Sequence, residues 1–278
     1  FNPDILIHMA AQPLVRLSYK EPLETYDTNV MGTAKVLESA RSCKNLKAIV
    51  CVTTDKCYEN KEWVWGYRED EPMGGFDPYS SSKGCAELVT SAYRRSFMQE
   101  QGIGLASARA GNVIGGGDWA DDRLIPDILR AFEKNKPVIV RNPASTRPWQ
   151  HVLEPLSGYL ALAEHLYQNP QDYAEGWNFG PDENDAKPVD WILSHMVDNW
   201  SGASWELDKN AHPHEAGYLK LDISKAKSRL HWHPTWRLEQ TLEKIIQWHQ
   251  AWLNKADMQQ ACLKEMNEFM RDLNNANH

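Results

Sequence analysis

The sequence predicts an α/β protein built on a doubly wound parallel sheet, with a smaller mixed α/β lobe. Short apolar or β-branched runs of strand length recur along the first half, and stretches with helical spacing separate them. Strands that alternate with helices form βαβ units with parallel strands and right-handed crossovers. With 42% hydrophobic residues among 278, the chain can also bury a full core.

The predicted elements of the first half follow in chain order. The first is a continuous apolar run over 5–11, typical of a parallel strand that is buried on both faces. It is followed by a helix over 23–42, a strand over 48–53, a helix over 79–101 and a strand over 105–109. These units predict a nucleotide-binding domain over 1–117.

Beyond Gly117 the apolar pieces become shorter and lie between turns. They predict a helix over 124–134, a strand over 138–140, a helix over 156–167 and a strand over 177–179. Apolar residues at helical spacing from Leu238 onward predict C-terminal helices. We therefore expect a substrate-binding lobe over 118–278, with a segment of about 150–180 returning to the first domain.

A dinucleotide-binding sheet normally begins with a strand, a glycine-rich turn and a helix. No such turn occurs before residue 100. The run Gly115-Gly116-Gly117 has a different spacing and comes late, so it predicts a flexible loop on the substrate side. We expect that this is a Rossmann-type domain whose N-terminal strands are missing from the chain.

Composition argues against several functional classes. The net charge of −8, without a Lys/Arg-rich run, argues against a nucleic-acid partner. Five cysteines without C-x-x-C spacing suggest reduced thiols in a cytoplasmic protein. No apolar run approaches the roughly 18 residues that a membrane span needs. The histidines lack partners at metal-site spacing, so neither a membrane nor a metal is expected.

Two short motifs carry candidate chemistry. Tyr79 and Lys83 are four residues apart at the start of a predicted helix and therefore share one face. A phenol, with a pKa of about 10 in small compounds, becomes a base near neutral pH only where a cation stabilises the phenolate. Alone, this spacing also arises by chance. Thr54-Asp55-Lys56, however, follows the predicted strand over 48–53, at the end where open α/β sheets bind ligands.

Together these segments resemble the extended short-chain dehydrogenase/reductases that act on nucleotide sugars. His8–Gln12 is similar to the family's fourth-strand motif beside the cofactor, and Thr28–Thr33 to its Asn-containing helix. Arg109–Gly115 is similar to its nicotinamide-side strand and loop, and Arg147–Val152 to the segment whose Arg grips the substrate diphosphate. The resemblance spans essentially the whole chain.

The resemblance implies an NAD-dependent 4,6-dehydratase whose substrate is a nucleotide-diphosphate sugar. Dehydratases of the family usually carry Thr-Asp-Glu where this chain has Thr54-Asp55-Lys56. This lysine, with Cys57–Asn60 and Glu62–Tyr67, is similar to the branch that acts on CDP-glucose. A homodimer or homotetramer through helices around 33–40 and 79–98 is also implied. A 4-epimerase, a dehydratase of another nucleotide sugar and a non-catalytic sugar-nucleotide binding fragment remain as alternatives.

In this family Tyr79 would take the O4 proton, Lys83 would hold the nicotinamide ribose and Thr54 would bond O4. Asp55 would protonate the leaving C6 hydroxyl, which requires a protonated carboxyl. Lys56 would remove the C5 proton as a neutral amine, and a direct salt bridge to Asp55 would oppose both roles. Alternatively, Lys56 binds a phosphate or Glu59.

The resemblance also implies three sets of site residues. The implied catalytic residues are Thr54, Asp55, Lys56, Tyr79 and Lys83. The implied cofactor contacts are Ala10, Ala11, Gln12, Asn29, Thr53, Tyr79, Lys83 and Val113. The implied substrate contacts are Thr54, Asn112, Arg123, Leu124, Arg147, Asn178 and Glu215. Because a guanidinium bonds phosphate oxygens well, a diphosphate contact is favoured for Arg147 over the alternative role, a surface salt bridge.

Overall fold

The fold is described from a computed structural model, which covers residues 2–208, 210 and 217–276. The strands are β1 Ile5–His8, β2 Ala48–Val52, β3 Gly104–Ala110, β4 Asn112–Ile114, β5 Val138–Val140, β6 Thr146–His151, β7 Gly176–Phe179, β8 Ala186–Pro188 and β9 Trp205–Leu207. The α-helices are α1 Val15–Lys20, α2 Pro22–Tyr26, α3 Gly32–Ala40, α4 Pro78–Tyr93, α5 Leu124–Glu133, α6 Leu153–Gln168, α7 Pro170–Tyr173, α8 Val189–Asp198, α9 Ser224–Arg229, α10 Leu238–Leu253 and α11 Met258–Ala276. Asp27–Met31 and Arg94–Met98 are π-helical, and Asp55–Cys57 and Glu183–Asp185 are 3₁₀ turns.

The first of two compact units comprises Phe1–Gly111, Leu156–Phe179 and Leu221–His233. Its sheet has the order β1-β2-β3-β7, and every neighbouring pair is parallel. Because these strands run in one direction, their carboxyl ends meet at one edge, where ligands of such sheets bind. The predicted parallel α/β sheet is confirmed, and the turn after β2 lies at this edge.

The centre of this sheet is buried, whereas its β1 edge is partly exposed. Leu37 of α3 packs with Ile49 of β2 and Leu105 of β3, and all three are fully buried. β1 pairs with β2 at the edge of the sheet, and its Ile5 and Ile7 are 41% and 36% exposed. The prediction that this strand is buried on both faces is therefore wrong for the described structure.

The second unit comprises Asn112–Pro155, Gly180–Lys220 and Pro234–His278. β4 and β6 are parallel, β8 joins β6 antiparallel, and β5 pairs with β9. Helices α5, α8 and α10 supply Ile128, Ile192 and Ile245 to its core, each fully buried. The sequence-based domains, 1–117 and 118–278, remain a proposal, and they did not anticipate that Leu221–His233 belongs to the first unit.

The glycine run after β4 is packed tightly within the second unit. A Cβ placed on Gly116 would lie 2.3 Å from the Trp248 ring, and one on Gly115 would lie 2.8 Å from a Val152 methyl group. Side chains at these positions would displace the Trp248 ring of α10 or the Val152 side chain that follows β6. The expectation of a flexible loop is therefore corrected: here glycine permits close packing.

Candidate active site

The turn that follows β2 is organised by the Thr54 hydroxyl. Thr54 has extended backbone angles and caps the 3₁₀ turn Asp55–Cys57, and its Oγ1 accepts from the Lys56 backbone N–H at 3.4 Å. The same hydroxyl bonds Asp55 Oδ1 at 2.9 Å. Both side chains are buried, so the turn holds Thr54 and Asp55 as one bonded pair.

Asp55 has one carboxyl oxygen that is ready for another partner. Its side chain is fully buried, and within the described residues its Oδ2 makes no hydrogen bond. Buried polar atoms are seldom left without partners, and a substrate hydroxyl would complete this one. The structure thus provides a polar atom where the sequence predicted a proton donor to the C6 hydroxyl.

Lys56 lies beside Asp55 and forms an ion pair with it, without a hydrogen bond. Its Nζ is 4.0 Å from Asp55 Oδ1, which is beyond hydrogen-bond length, and its side chain is 29% exposed. In the part of the chain that the structure describes, no ion pair joins Lys56 to Glu59. At 4.0 Å the contact between Lys56 and Asp55 is a salt bridge at the limit of that interaction, and a salt bridge is the arrangement that would oppose the predicted roles of both side chains.

The start of α4 places Tyr79 and Lys83 toward the site. Asp77 caps the helix, accepting from the Ser80 N–H at 2.9 Å and the Ser80 hydroxyl at 2.6 Å, and Pro78 occupies the first turn. The Tyr79 backbone N–H donates to Ser18 Oγ of α1 at 3.1 Å. These contacts fix where the helix begins, and therefore where its two functional side chains lie.

Lys83 is buried and makes few hydrogen bonds to the described residues. Its Nζ donates to the Val52 carbonyl at 3.5 Å, the one hydrogen bond that it makes to the described residues. Burial lowers the pKa of Lys83 to about 8, against the opposing effect of the Glu87 carboxylate. The remaining ammonium protons can hold ribose hydroxyl groups, so the side chain fits its predicted cofactor role.

Close backbone contacts join the segment after the Asp55–Cys57 turn to α4. A Cβ on Gly84 of α4 would lie 2.6 Å from the Gly74 carbonyl oxygen, and the Gly74 N–H donates to the Cys57 carbonyl at 2.8 Å. Gly75 has a φ of +129°, and its Cβ would lie 2.3 Å from the Ser81 nitrogen. Glycine at these positions lets the segment after Cys57 touch the helix that carries Tyr79.

Asn29 supports the predicted cofactor side instead of contacting a cofactor itself. Its Oδ1 accepts from the Gln12 N–H at 2.8 Å, and its Nδ2 donates to the Gln12 carbonyl at 3.0 Å and to Ser82 Oγ at 2.9 Å. The side chain is 1% exposed. Because its acceptor and both donors are engaged, the prediction of direct contact is corrected: Asn29 fixes the backbone of Gln12 against α4.

Asn178 of β7 is likewise occupied by the protein. The Tyr58 hydroxyl donates to its Oδ1 at 2.7 Å, and its Nδ2 donates to the Tyr67 carbonyl at 2.8 Å and the Asp222 carbonyl at 3.1 Å. It is fully buried. The structure therefore contradicts a substrate contact through this side chain and assigns it a bracing role.

An Asn178→Ala variant is expected to lower the free energy of unfolding by about 2–4 kcal/mol, because it leaves buried hydrogen-bonding groups without a partner. Urea denaturation measures this loss. The exposed Asn199, whose amide donates to the His195 carbonyl, offers a control, and Asn199→Ala should be near neutral. A raised KM with unchanged stability in Asn178→Ala would instead indicate that the Asn178 side chain contacts the substrate.

Three further cofactor candidates of the first unit lie after the strands β1 and β2. Ala10 and Ala11 follow β1, and Thr53 Oγ1 donates to Glu87 Oε1 at 2.5 Å. Glu87 was not among the residues predicted from the sequence. Its position four residues after Lys83, on the same helical face, was the signal that could have identified it.

The substrate candidates on β4 and α5 belong to the second unit. Asn112 begins β4, and its buried Oδ1 makes no hydrogen bond within the described residues. Val113, a predicted cofactor contact, is the next residue of β4. Arg123 pairs with Asp118 at 3.0 Å, and Leu124 begins α5. These assignments remain predictions, with the orphaned Asn112 oxygen available for a ligand.

Two further substrate candidates differ in what can be said of them. Arg147 lies on β6, and its Nη1 donates to the Thr146 carbonyl at 2.8 Å. Glu215 lies outside the described residues, as does the neighbouring His212. Among the residues that the structure covers, there is no group of three or more potential metal ligands. Nor is any helix in that part of the chain long and apolar enough to cross a membrane.

Comparison with known proteins gives a family match along most of the chain. Residues 1–245 match the family described as GDP-mannose 4,6 dehydratase. The chain is 61% identical over 276 residues to the CDP-glucose 4,6-dehydratase of Salmonella typhimurium, covering 97% of this chain and 77% of that protein. It is 24% identical over 283 residues to the dTDP-glucose 4,6-dehydratase of the same organism, covering 91% and 75%.

Solved structures agree on the fold. The UDP-glucuronic acid 4-epimerase of Bacillus cereus, in complex with UDP-glucuronic acid and NAD, has a TM-score of 0.76 at 24% identity. The match covers 89% of this chain and 75% of that one. The dTDP-glucose 4,6-dehydratase of Bacillus anthracis, in complex with NAD, has a TM-score of 0.69 at 21% identity, covering 89% and 72%.

Proposed function

The chain belongs to the GDP-mannose 4,6-dehydratase family, and from this premise we propose that it is an NAD-dependent lyase converting CDP-D-glucose to CDP-4-keto-6-deoxy-D-glucose and water. The observation that carries the proposal is the 61% identity, over 97% of the chain, to a curated CDP-glucose 4,6-dehydratase. The resemblance drawn from the sequence is confirmed by this match. The site geometry supports the reaction because oxidising and dehydrating groups lie together at one edge of the sheet.

The residues present fit NAD. The Lys83 ammonium retains donors for a ribose, and the backbone of Gln12 is fixed by Asn29 beside α4. NAD supplies reversible oxidation, accepting a hydride from C4 of the hexose and returning it at C6. The cofactor set that we propose is Ala10, Ala11, Gln12, Thr53, Tyr79, Lys83 and Val113.

The first chemical task is to remove the proton from the O4 hydroxyl as C4 is oxidised to a ketone. We assign this proton to the Tyr79 oxygen, with Lys83 stabilising the phenolate from the next turn of α4. Thr54 is proposed to hydrogen-bond O4. Its bond to Asp55 Oδ1 fixes where the hydroxyl points.

The second task is to eliminate water across C5 and C6. The C4 ketone acidifies the C5 proton, which Lys56 is proposed to remove as a neutral amine. The electron pair forms the C5–C6 double bond while Asp55 donates a proton to the departing C6 hydroxyl, which leaves as water. The saturated product forms when C6 regains hydrogen and C5 is protonated.

A Lys56→Ala variant should exchange the C5 proton with solvent deuterium at least about a hundredfold more slowly, because the general base is removed. NMR of the reaction in deuterium oxide, followed over time, measures this exchange as the rate at which the C5 proton signal of the hexose is lost. Lys61→Ala, which removes a nearby lysine amine placed over the Trp63 ring, is the matched control and should exchange normally. Exchange at the wild-type rate in Lys56→Ala would leave Lys56 with the alternative role of binding a phosphate.

Product analysis tests the proposed function. The enzyme supplied with NAD and CDP-glucose should yield a 4-keto-6-deoxy sugar, identified by mass loss of one water and by NMR. The same assay with dTDP- and GDP-sugars tests the choice of nucleotide. Formation of a C4 epimer would favour the 4-epimerase alternative, and binding without turnover would favour a sugar-nucleotide binding fragment.

The proposal also covers the substrate contacts, the cellular location and the oligomeric state. Asn112, Arg123, Leu124 and Arg147 are retained as proposed substrate contacts in the second unit. We also propose a cytoplasmic location and a homodimer or homotetramer. The helices around 33–40 and 79–98 are the proposed interface, and this assignment rests on the family resemblance.

A further inference from the structure

Glu87 lies one helical turn beyond Lys83 on α4 and is fully enclosed by the first unit. Its Oε1 accepts from Thr53 Oγ1 at 2.5 Å, and its Oε2 accepts from Ser107 Oγ at 2.6 Å and Arg109 Nη2 at 2.9 Å. The side chain is 4% exposed. One carboxylate therefore joins α4 to β3 and to Thr53, which follows β2 and immediately precedes Thr54.

Glu87 remains an anion despite its burial. Burial alone would favour the neutral carboxyl, but Arg109 and the hydrogen bonds from Ser107 and Thr53 outweigh it and hold the pKa of Glu87 below its usual value. Arg109 also donates to the Tyr58 hydroxyl at 2.7 Å and to the Glu69 carbonyl at 2.8 Å. The Arg109 guanidinium is thus held in place by hydrogen bonds that do not involve Lys83.

Apart from Tyr79, which becomes a phenolate only in the proposed reaction, the neighbouring ionisable groups named below carry no negative charge near neutral pH. Burial raises the pKa of Cys51 on β2 to about 12, and it raises that of Cys57 in the catalytic turn well above the usual value. Burial, and then the Lys83 charge, lower the pKa of His8 on β1, so its ring is neutral. Before the reaction begins, Glu87 is therefore the anion among the described neighbours that sustains the Lys83 ammonium in its buried site.

We propose that Glu87 is a positioning residue that keeps Lys83 protonated while anchoring the catalytic turn through Thr53. This rests on the proposed function, in which the Lys83 ammonium stabilises the Tyr79 phenolate. Glu87 acts through these neighbours and does not touch the substrate. Its loss should therefore change the pH at which the enzyme works, which a merely structural residue would not do.

The test compares pH profiles of kcat/KM for CDP-glucose in the NAD-loaded enzyme. Wild-type activity should fall as pH rises through about 8, where the buried Lys83 loses its proton. In Glu87→Gln this alkaline limb should move to lower pH by on the order of one unit, because the neighbouring anion is gone. Glu87→Asp retains the charge and should keep the limb near its wild-type position.

Ser107→Ala is the matched control, since it removes one hydrogen bond from Glu87 without altering any charge. The alkaline limb of the Ser107→Ala profile should stay at its wild-type pH. If Glu87→Gln fails to fold because Arg109 loses its counter-ion, Glu87→Gln combined with Arg109→Met removes both charges, and its limb should still lie low. A limb that stays at the wild-type pH, in the single or the double variant, would overturn the proposal.

A second readout needs no turnover. The ¹³C shift of the Lys83 Cε in selectively labelled protein, assigned with Lys83→Arg, follows the ammonium through its titration. The midpoint should be lower in Glu87→Gln than in wild type, and equal midpoints would refute the inference. Wild-type protein that does not dehydrate CDP-glucose would instead overturn the proposed function, while this titration would still decide the role of Glu87.

Discussion

A Tyr79→Phe variant is expected to lose about 10²–10⁴-fold in kcat on CDP-glucose, with KM little changed. Phenylalanine keeps the buried ring but has no hydroxyl to take the O4 proton, so oxidation at C4 fails before any water is lost. The rate of formation of the 4-keto product measures the effect. Since C4 oxidation comes first, no reduced nicotinamide should accumulate in this variant.

Helix α4 also provides the control for this substitution. Tyr93 lies near its other end, and its hydroxyl donates to Glu38 Oε2 at 3.2 Å at the protein surface. Tyr93→Phe removes the same atom from the same helix and should leave kcat unchanged. Near-normal turnover in Tyr79→Phe would refute the assignment of the O4 proton to Tyr79 and would require another base at the site.

The sequence was most informative where long elements carry periodic patterns. β2 and the start of α4 lie where the apolar run and the helical spacing predicted them, and the motifs that they carry therefore meet at the sheet edge. The helix predicted over 79–101 is divided into α4, which ends at Tyr93, and the π-helical Arg94–Met98. The helix predicted over 23–42 is divided into α2, a π-helical turn and α3. Apolar spacing does not distinguish a π turn from continuous helix, because both keep the buried face in contact with the core.

Of the short strands of the second unit, β5 lies where the sequence predicted a strand, over 138–140, but others could not be predicted in the same way. β4 and β8 have three residues each, which is too few for alternation to appear, and β6 contains Pro148. Their pairing is decided by neighbours distant in sequence. The same reason explains β1: its apolar run indicated a buried strand, but burial depends on which strands lie beside it, and the local sequence cannot show this.

The two corrected asparagines show a further limit of motif reasoning. Asn178 receives the Tyr58 hydroxyl from 120 residues away, and Asn29 donates to Ser82 from 53 residues away. A motif indicates that a polar side chain lies near a site, but only the folded chain shows whether its hydrogen bonds are already used. Thr54, Asp55, Lys56, Tyr79 and Lys83 differ in this respect, because a local turn and helical spacing predict where they lie, while the roles proposed for them rest on the family resemblance.

An Asp55→Asn variant is expected to separate oxidation from dehydration. Asparagine has nearly the same shape and can still accept from Thr54, but it cannot donate a proton to the departing C6 hydroxyl. Formation of the 4-keto-6-deoxy product should fall by about 10²–10⁴-fold. Oxidation at C4 depends on Tyr79 and Lys83 and should continue, so reduced nicotinamide should accumulate and can be followed by its absorbance during a single turnover.

The control is an exposed aspartate in the same unit. Asp27 pairs with Lys35 at the surface, at 3.4 Å, and Asp27→Asn should change neither signal. If Asp55→Asn slowed nicotinamide reduction and product formation equally, Asp55 would act in positioning O4 through Thr54, to which it is bonded. Accumulation of reduced nicotinamide in Asp55→Asn alone therefore assigns the acid role, because it places the defect after C4 oxidation and before the loss of water.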